Sequence, residues 1–153
     1  MNEFLEQIKG YVNAFEAINN GNYEGPDYLV DEIEFNSDTD RLNTIENYIM
    51  KICNSNEKPK SLCFERIDKW QESLEIIFTN YFTRNVKLST NLYKIKFIDM
   101  INKYINNEHF GVLGSGINNC YSSITEYFGE VSGSDIIFIF NGKMLILHFG
   151  IND

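Results

Sequence analysis

The sequence predicts an α+β domain: about four helices packed on a small antiparallel sheet that contains a C-terminal β-hairpin over residues 135–149. Three observations predict it. Apolar residues recur at three- and four-residue steps through about residue 106. Glycines and β-rich runs then replace them. Finally, Asn141-Gly142 sits between IIFIF and KMLIL, the strongest short-range hairpin signal. The chain has 153 residues, of which 43% are hydrophobic and 14% aromatic. That is enough for one domain, 1–153, with a substantial core.

In chain order, Phe4, Leu5, Ile8, Tyr11, Val12, Phe15 and Ile18 form one face of a helix over 3–19, stopped at Asn19-Asn20-Gly21. Residues 22–37, with Gly25-Pro26 and many acids, read as a loop or an irregular strand. A second helix begins near Ser37 or Asp38 and carries Leu42, Ile45, Ile49 and Ile52, with Tyr48 beside them. Residues 54–60 are a polar loop, and 61–67 a possible short strand. Asp68 is expected to cap a third helix, with Gln71 in the capping-box position and Trp70, Leu74, Ile77, Phe78 and Tyr81 facing inward. A fourth starts near Ser89 or Thr90 and places Leu92, Ile95, Ile98, Ile101 and Ile105 on its inner face. Residues 119–128 fit helix or strand; a short helix capped by Asn118 or Asn119 is preferred.

A two-residue turn at 141–142 fixes the hairpin by counting outward. Ile139 meets Met144, Ile137 meets Ile146, and Asp135 meets His148. Both faces of the pair are apolar, so the hairpin is expected to be covered on both sides, as the spine of the core.

The net charge is -9. An acidic chain is repelled by nucleic-acid backbones and anionic membranes, and suits a basic protein partner. Residues 1–57 hold twelve acids against three bases. Glu24, Asp27, Asp31, Glu32, Glu34, Asp38 and Asp40 occur with no base among them, and Tyr23, Tyr28 and Phe35 are interleaved. These acids, with Tyr28, are the expected partner-binding residues: carboxylates pair with Arg or Lys, and tyrosine supplies rigid contact area. The alternative is a solvated loop.

Catalytic chemistry has one candidate set. Cys120 at the start of a possible helix, then His148 on a strand oriented by Asp135, follows the order of papain-like thiol hydrolases, with Asn152 or Asp153 as a further orienting group. The competing reading is a structural Asp–His contact. His109 and His148 are far apart, with no close cysteine pair, so no metal site is expected. Gly114-Ser115-Gly116 lacks a phosphate-loop context, Ser115 lacks a nucleophile elbow, and no cofactor is expected. Cys53, Cys63 and Cys120 are odd in number and read as reduced, buried or half-buried thiols. The N-terminus has no signal-peptide pattern and no window has transmembrane length, so the expected location is cytoplasmic.

The closing SGSDIIFIFNGKMLILHFGIND resembles the C-terminal hairpins of small bacterial immunity proteins of contact-dependent growth inhibition and related polymorphic toxin systems. The resemblance implies a stoichiometric inhibitor that binds a cognate toxin domain, often a basic nuclease, with the acidic segment mimicking nucleic-acid phosphates. The alternatives are the thiol hydrolase and a non-catalytic adaptor domain, dimeric through an uncovered hairpin face.

Overall fold

The computed structural model describes residues 2–20, 25–35, 41–59, 62–83, 91–106, 108, 110–118 and 122–152. Within them the chain is α+β. Helix α1 spans Glu3–Asn19, β1 Gly25–Glu34, α2 Arg41–Ile52, β2 Glu65–Arg66 and α3 Trp70–Ile77. A π-helical turn over Phe78–Phe82 follows, then α4 Asn91–Ile105, β3 Phe110–Ser115, α5 Thr125–Phe128, β4 Ser132–Phe140 and β5 Lys143–Asn152. The five strands form one antiparallel sheet in the order β1-β5-β4-β3-β2.

The hairpin has the register the turn dictates. Asp135 pairs with His148, Ile137 with Ile146 and Phe140 with Lys143. Asn141 and Gly142 both have positive φ, 44° and 70°, as a turn matching strand twist requires. The sheet is covered on both faces. Ile136, Phe138, Phe140, Leu145, Leu147 and Phe149 pack under α1, α3, the π-turn and α4. Ile137, Ile139, Met144 and Ile146 pack against α2, Ile124, Tyr127 and Phe128. Each large apolar side chain so buried stabilises the fold by about 1.5–3 kcal/mol.

Residues 25–34, read as a loop or irregular strand, form a regular ten-residue strand paired with β5 along its whole length. Its alternation is present: Tyr28 and Val30 face one core, Leu29 and Ile33 the other. The interleaved acids obscure it. Strands are therefore not confined to the chain beyond residue 106.

Helix α1 starts where Asn2 Oδ1 accepts the Phe4 amide at 3.1 Å and the Leu5 amide at 3.4 Å. At its other end Ile18 is exposed and Asn19 buried instead, because Asn19 Nδ2 donates to the carbonyls of Phe15 (2.8 Å) and Phe82 (3.0 Å). In α2, Ile45, Tyr48 and Ile49 are buried, whereas Leu42 is exposed. The expected start of that helix at Ser37 or Asp38 lies outside the described residues.

Asp68 does not cap α3. Lys69 occupies the cap position without a side-chain bond, and Asp68 instead pairs with Arg66 Nε at 3.1 Å. The expected inner face of α3 is buried throughout. The π-turn, closed by a Thr83 amide to Phe78 carbonyl bond of 3.2 Å, turns Phe78, Tyr81 and Phe82 all inward. Phe82 then stacks on Phe15 with centroids 4.7 Å apart.

Helix α4 meets the expectation in its second half, where Ile101 and Ile105 are buried and Ile98 packs partly on the core, but not in its first. Phe97, Met100, Ile101, Tyr104 and Ile105 are buried, while Leu92 and Ile95 are 71% and 63% exposed. Burying the aromatic residues outweighs burying the aliphatic row: Phe97 stacks on Tyr11 at 5.4 Å and Tyr104 meets Phe140 edge-on. Ile95→Gln is therefore expected to change stability by less than about 0.5 kcal/mol, and Ile101→Val to cost about 0.5–1.5 kcal/mol, in urea unfolding. The short α5 has Ile124, not Asn118, at its N-terminal boundary, and ends at Gly129 in the left-handed region. Asn119 lies outside the described residues. Cys53 is half-buried but Cys63 is exposed, against the expectation of covered thiols, since β2 and its approach lie at the sheet edge.

Candidate functional site

Two features stand out: the acidic edge strand β1 and a buried polar cluster around His148. Of the eight expected partner-binding residues, Glu24, Asp38 and Asp40 lie outside the described residues. Tyr28 does not belong to a contact surface. It is 7% exposed, its ring meets Phe149 at 5.4 Å, and its hydroxyl donates to the Tyr81 carbonyl at 2.7 Å. Period two turns it, with Val30, toward the α1 side of the sheet, and its neighbours Asp27 and Leu29 toward the α2 side.

Asp27, Asp31, Glu32 and Glu34 lie on β1, at one edge of the sheet. Alternation splits them between its two sides. Asp31 Oδ2 accepts from the Tyr48 hydroxyl at 3.0 Å, and Oδ1 from the Glu32 amide at 2.9 Å. Glu32 accepts from the Tyr104 hydroxyl and pairs with Lys143 Nζ at 3.1 Å. Burial pushes the Glu32 carboxyl up, but these partners outweigh it and hold it below its ordinary value. Tyr48 is raised by burial and then by the Asp31 charge, and Tyr104 by burial and Glu32, so both phenols stay neutral donors. A phenol fixes a carboxylate without cancelling its charge. Glu34 lies exposed at the end of the strand, and Lys143 is the cation paired with the strand's acids among the described residues.

The edge is blocked to strand addition at three positions. Pro26 offers no N–H, Glu16 Oε1 accepts the Tyr28 amide at 3.3 Å, and Asp31 covers the Glu32 amide.

The second feature runs across three neighbouring strands. Ser115 on β3, Asp135 on β4 and His148 on β5 are consecutive cross-strand partners on the α2 side of the sheet. All three are fully buried. His148 Nδ1 donates to Asp135 Oδ1 at 2.5 Å, and Nε2 to Glu130 at 2.8 Å and 3.0 Å. Asp135 Oδ2 accepts from the hydroxyls of Ser115 and Ser122 (2.9 Å for the latter) and from the amides of Ser123 (2.9 Å) and Ile124 (3.4 Å). Ser123 Oγ in turn donates to the Cys63 carbonyl at 2.9 Å. Burial opposes charge on the imidazole, but bonds to Asp135 and Glu130 and their charges prevail and push it up to about 9. Burial raises the Glu130 carboxyl, with the His148 bond pulling it back.

Asp135 and His148 therefore meet as expected, but Cys120 lies outside the described residues. Both ring nitrogens of His148 are held by carboxylates, so neither is presented to a thiol in this arrangement. Burial, and then the charge of Glu130, raises the Cys53 thiol, which disfavours the nucleophilic thiolate. No group of three or more His, Cys, Asp or Glu among the described residues is arranged to hold a metal.

Glu130 was missed by sequence reasoning. Its only signal was an acid shortly before a β-rich run, and nothing local says that it turns inward. What admits it is the pairing of Gly133 with Gly150. A Cβ on Gly150 would coincide with the Glu130 carboxylate, and one on Gly133 with Thr125 Oγ1. The serines were legible only as polar residues near glycines.

No family model, curated protein or solved structure matches the chain. No helix among the described residues is long and apolar enough to cross a membrane.

Proposed function

We propose that this chain is a non-catalytic binding protein, an immunity protein that neutralises a basic toxin domain, and that β1 is its contact surface. The observation supporting this reading is the row of carboxylates on a rigid, outermost strand. Asp31 is held by the Tyr48 hydroxyl and the Glu32 amide, so it loses little freedom when a partner's Lys or Arg arrives. Glu34 is exposed at the end of the same strand. Pro26 and the covered amides favour recognition by side-chain charge over pairing with a partner strand. A basic nuclease is the partner class that fits. The complex is one-to-one, in the cytoplasm, with no cofactor, and inhibition comes from covering the toxin's phosphate-binding surface.

The test is affinity capture from the producing cells, followed by kinetics with the captured toxin domain. The double variant Asp31→Lys/Glu34→Lys is expected to lower the association rate at low salt by about tenfold or more, with a smaller change in dissociation. Equal association rates for wild type and variant across ionic strengths would reject β1 as the interface.

A further inference from the structure

The two carboxyl groups on His148 are unequally secured. Asp135 belongs to β4, and its Oδ2 takes four further donors. Glu130 lies in the connection between α5 and β4, where Thr125 Oγ1 donates to it at 3.1 Å. It reaches the imidazole through the notch left by Gly133 and Gly150.

An imidazolium has two N–H donors, whereas neutral imidazole has one donor and one lone pair. If the proton between Nε2 and Glu130 moves to the carboxyl, an O–H still donates to Nε2 and the contact survives. If that proton is lost, a lone pair faces a carboxylate and the contact becomes repulsive. Asp135 keeps its four donors, so Glu130 is the end that lets go.

We propose that Glu130 and His148 form a proton-operated latch that fastens residues 125–130, including α5, onto the α2 side of the sheet, while residues 122–124 are held separately by Asp135. Loss of the proton frees Glu130 from the glycine notch and loosens that segment, while β4 and β5 stay paired. The other titratable groups facing the latch are Asp135 from β4, Asp27 from β1, whose partner in register is Gly150, and Cys53 just beyond α2. From α5, Phe128 sets its ring 5.3 Å from the imidazole, uncharged. Asp27, close to Glu130, raises its carboxyl, which helps retain the proton. The latch is shut at neutral pH and opens in alkaline solution.

Hydrogen exchange with residue resolution tests it. In wild type, amides of 125–130, corrected for intrinsic base catalysis, are expected to lose protection at least tenfold between about pH 7 and pH 10, while those of Ser123 and Ile124, held by Asp135, keep theirs. Amides of 136–139 and 144–147 should hold theirs, and the His148 ring protons should titrate in the same window by NMR. Glu130→Gln can accept from an N–H or donate to a lone pair, so it should keep the segment protected at both pH values. Unchanged wild-type protection, or an equal loss in Glu130→Gln, would overturn the latch. If Glu130→Gln fails to fold, wild type decides: coincident ring titration and loss of protection support the latch, and separation by more than about one pH unit rejects it.

Discussion

Asp135→Ala is expected to lower the unfolding free energy by about 3–5 kcal/mol, the range for removing one partner of a buried ion pair. The side chain is fully buried, and the variant leaves His148 with Glu130 alone. It also strips the acceptor from the Ser122 hydroxyl and the Ile124 amide, and leaving buried donors unpaired is costly. Asp135→Asn keeps an acceptor for these donors but loses the charge facing Nδ1, so a smaller loss is expected. Urea unfolding of both variants separates the two contributions. An Asp135→Ala protein within about 1 kcal/mol of wild type would mean that the cluster adds little to stability.

Wild-type stability is expected to fall by on the order of 3 kcal/mol as pH rises from about 6.5 to about 9, since each tenfold difference in proton affinity is about 1.4 kcal/mol. The sign follows from His148. Burial alone would lower its pKa, but Asp135 and Glu130 push it up to about 9, so the folded chain holds the proton more tightly than the unfolded one. That stabilisation is whole below the ordinary histidine value, shrinks above it and is lost beyond about 9. Glu130, raised by burial, also holds its proton better when folded and acts in the same direction. Above about pH 10 the neutral phenols of Tyr11, Tyr48 and Tyr104 extend the loss. Unfolding curves at four pH values between 6 and 10 check it; a level profile up to pH 9 contradicts the charged His148.

The hairpin was legible because its information is local. Asn141-Gly142 sets the turn, counting sets the register, and Asp135 must then meet His148. The α3 face was legible for the same reason, as five apolar residues at helical spacing. The inner face of α4 was legible only in part: Ile101 and Ile105 are buried as expected, whereas Leu92 and Ile95 are exposed. Two candidate stripes exist, and only the aromatic partners on α1 and β4 decide between them. Strand β1 was obscured because acids stand among the apolar residues on both of its faces, and acids disfavour a strand in isolation; ten residues of pairing with β5 override that preference.

The sequence by itself determined the α+β class, the hairpin and its register, the two apolar faces, the concentration of acids before residue 41 and the Asp135–His148 pair. All of these depend on composition or on neighbours a few residues apart. Only the tertiary structure decided that residues 25–34 form the outermost strand, that Tyr28 faces inward, and that Glu130 closes over His148. Those outcomes depend on contacts between segments far apart in the chain. Tyr28 bonds to Tyr81, β1 pairs with the final strand, and a notch cut by two facing glycines admits one carboxylate. Periodicity reports which side of an element is apolar, but what that side meets is settled only when distant segments pack.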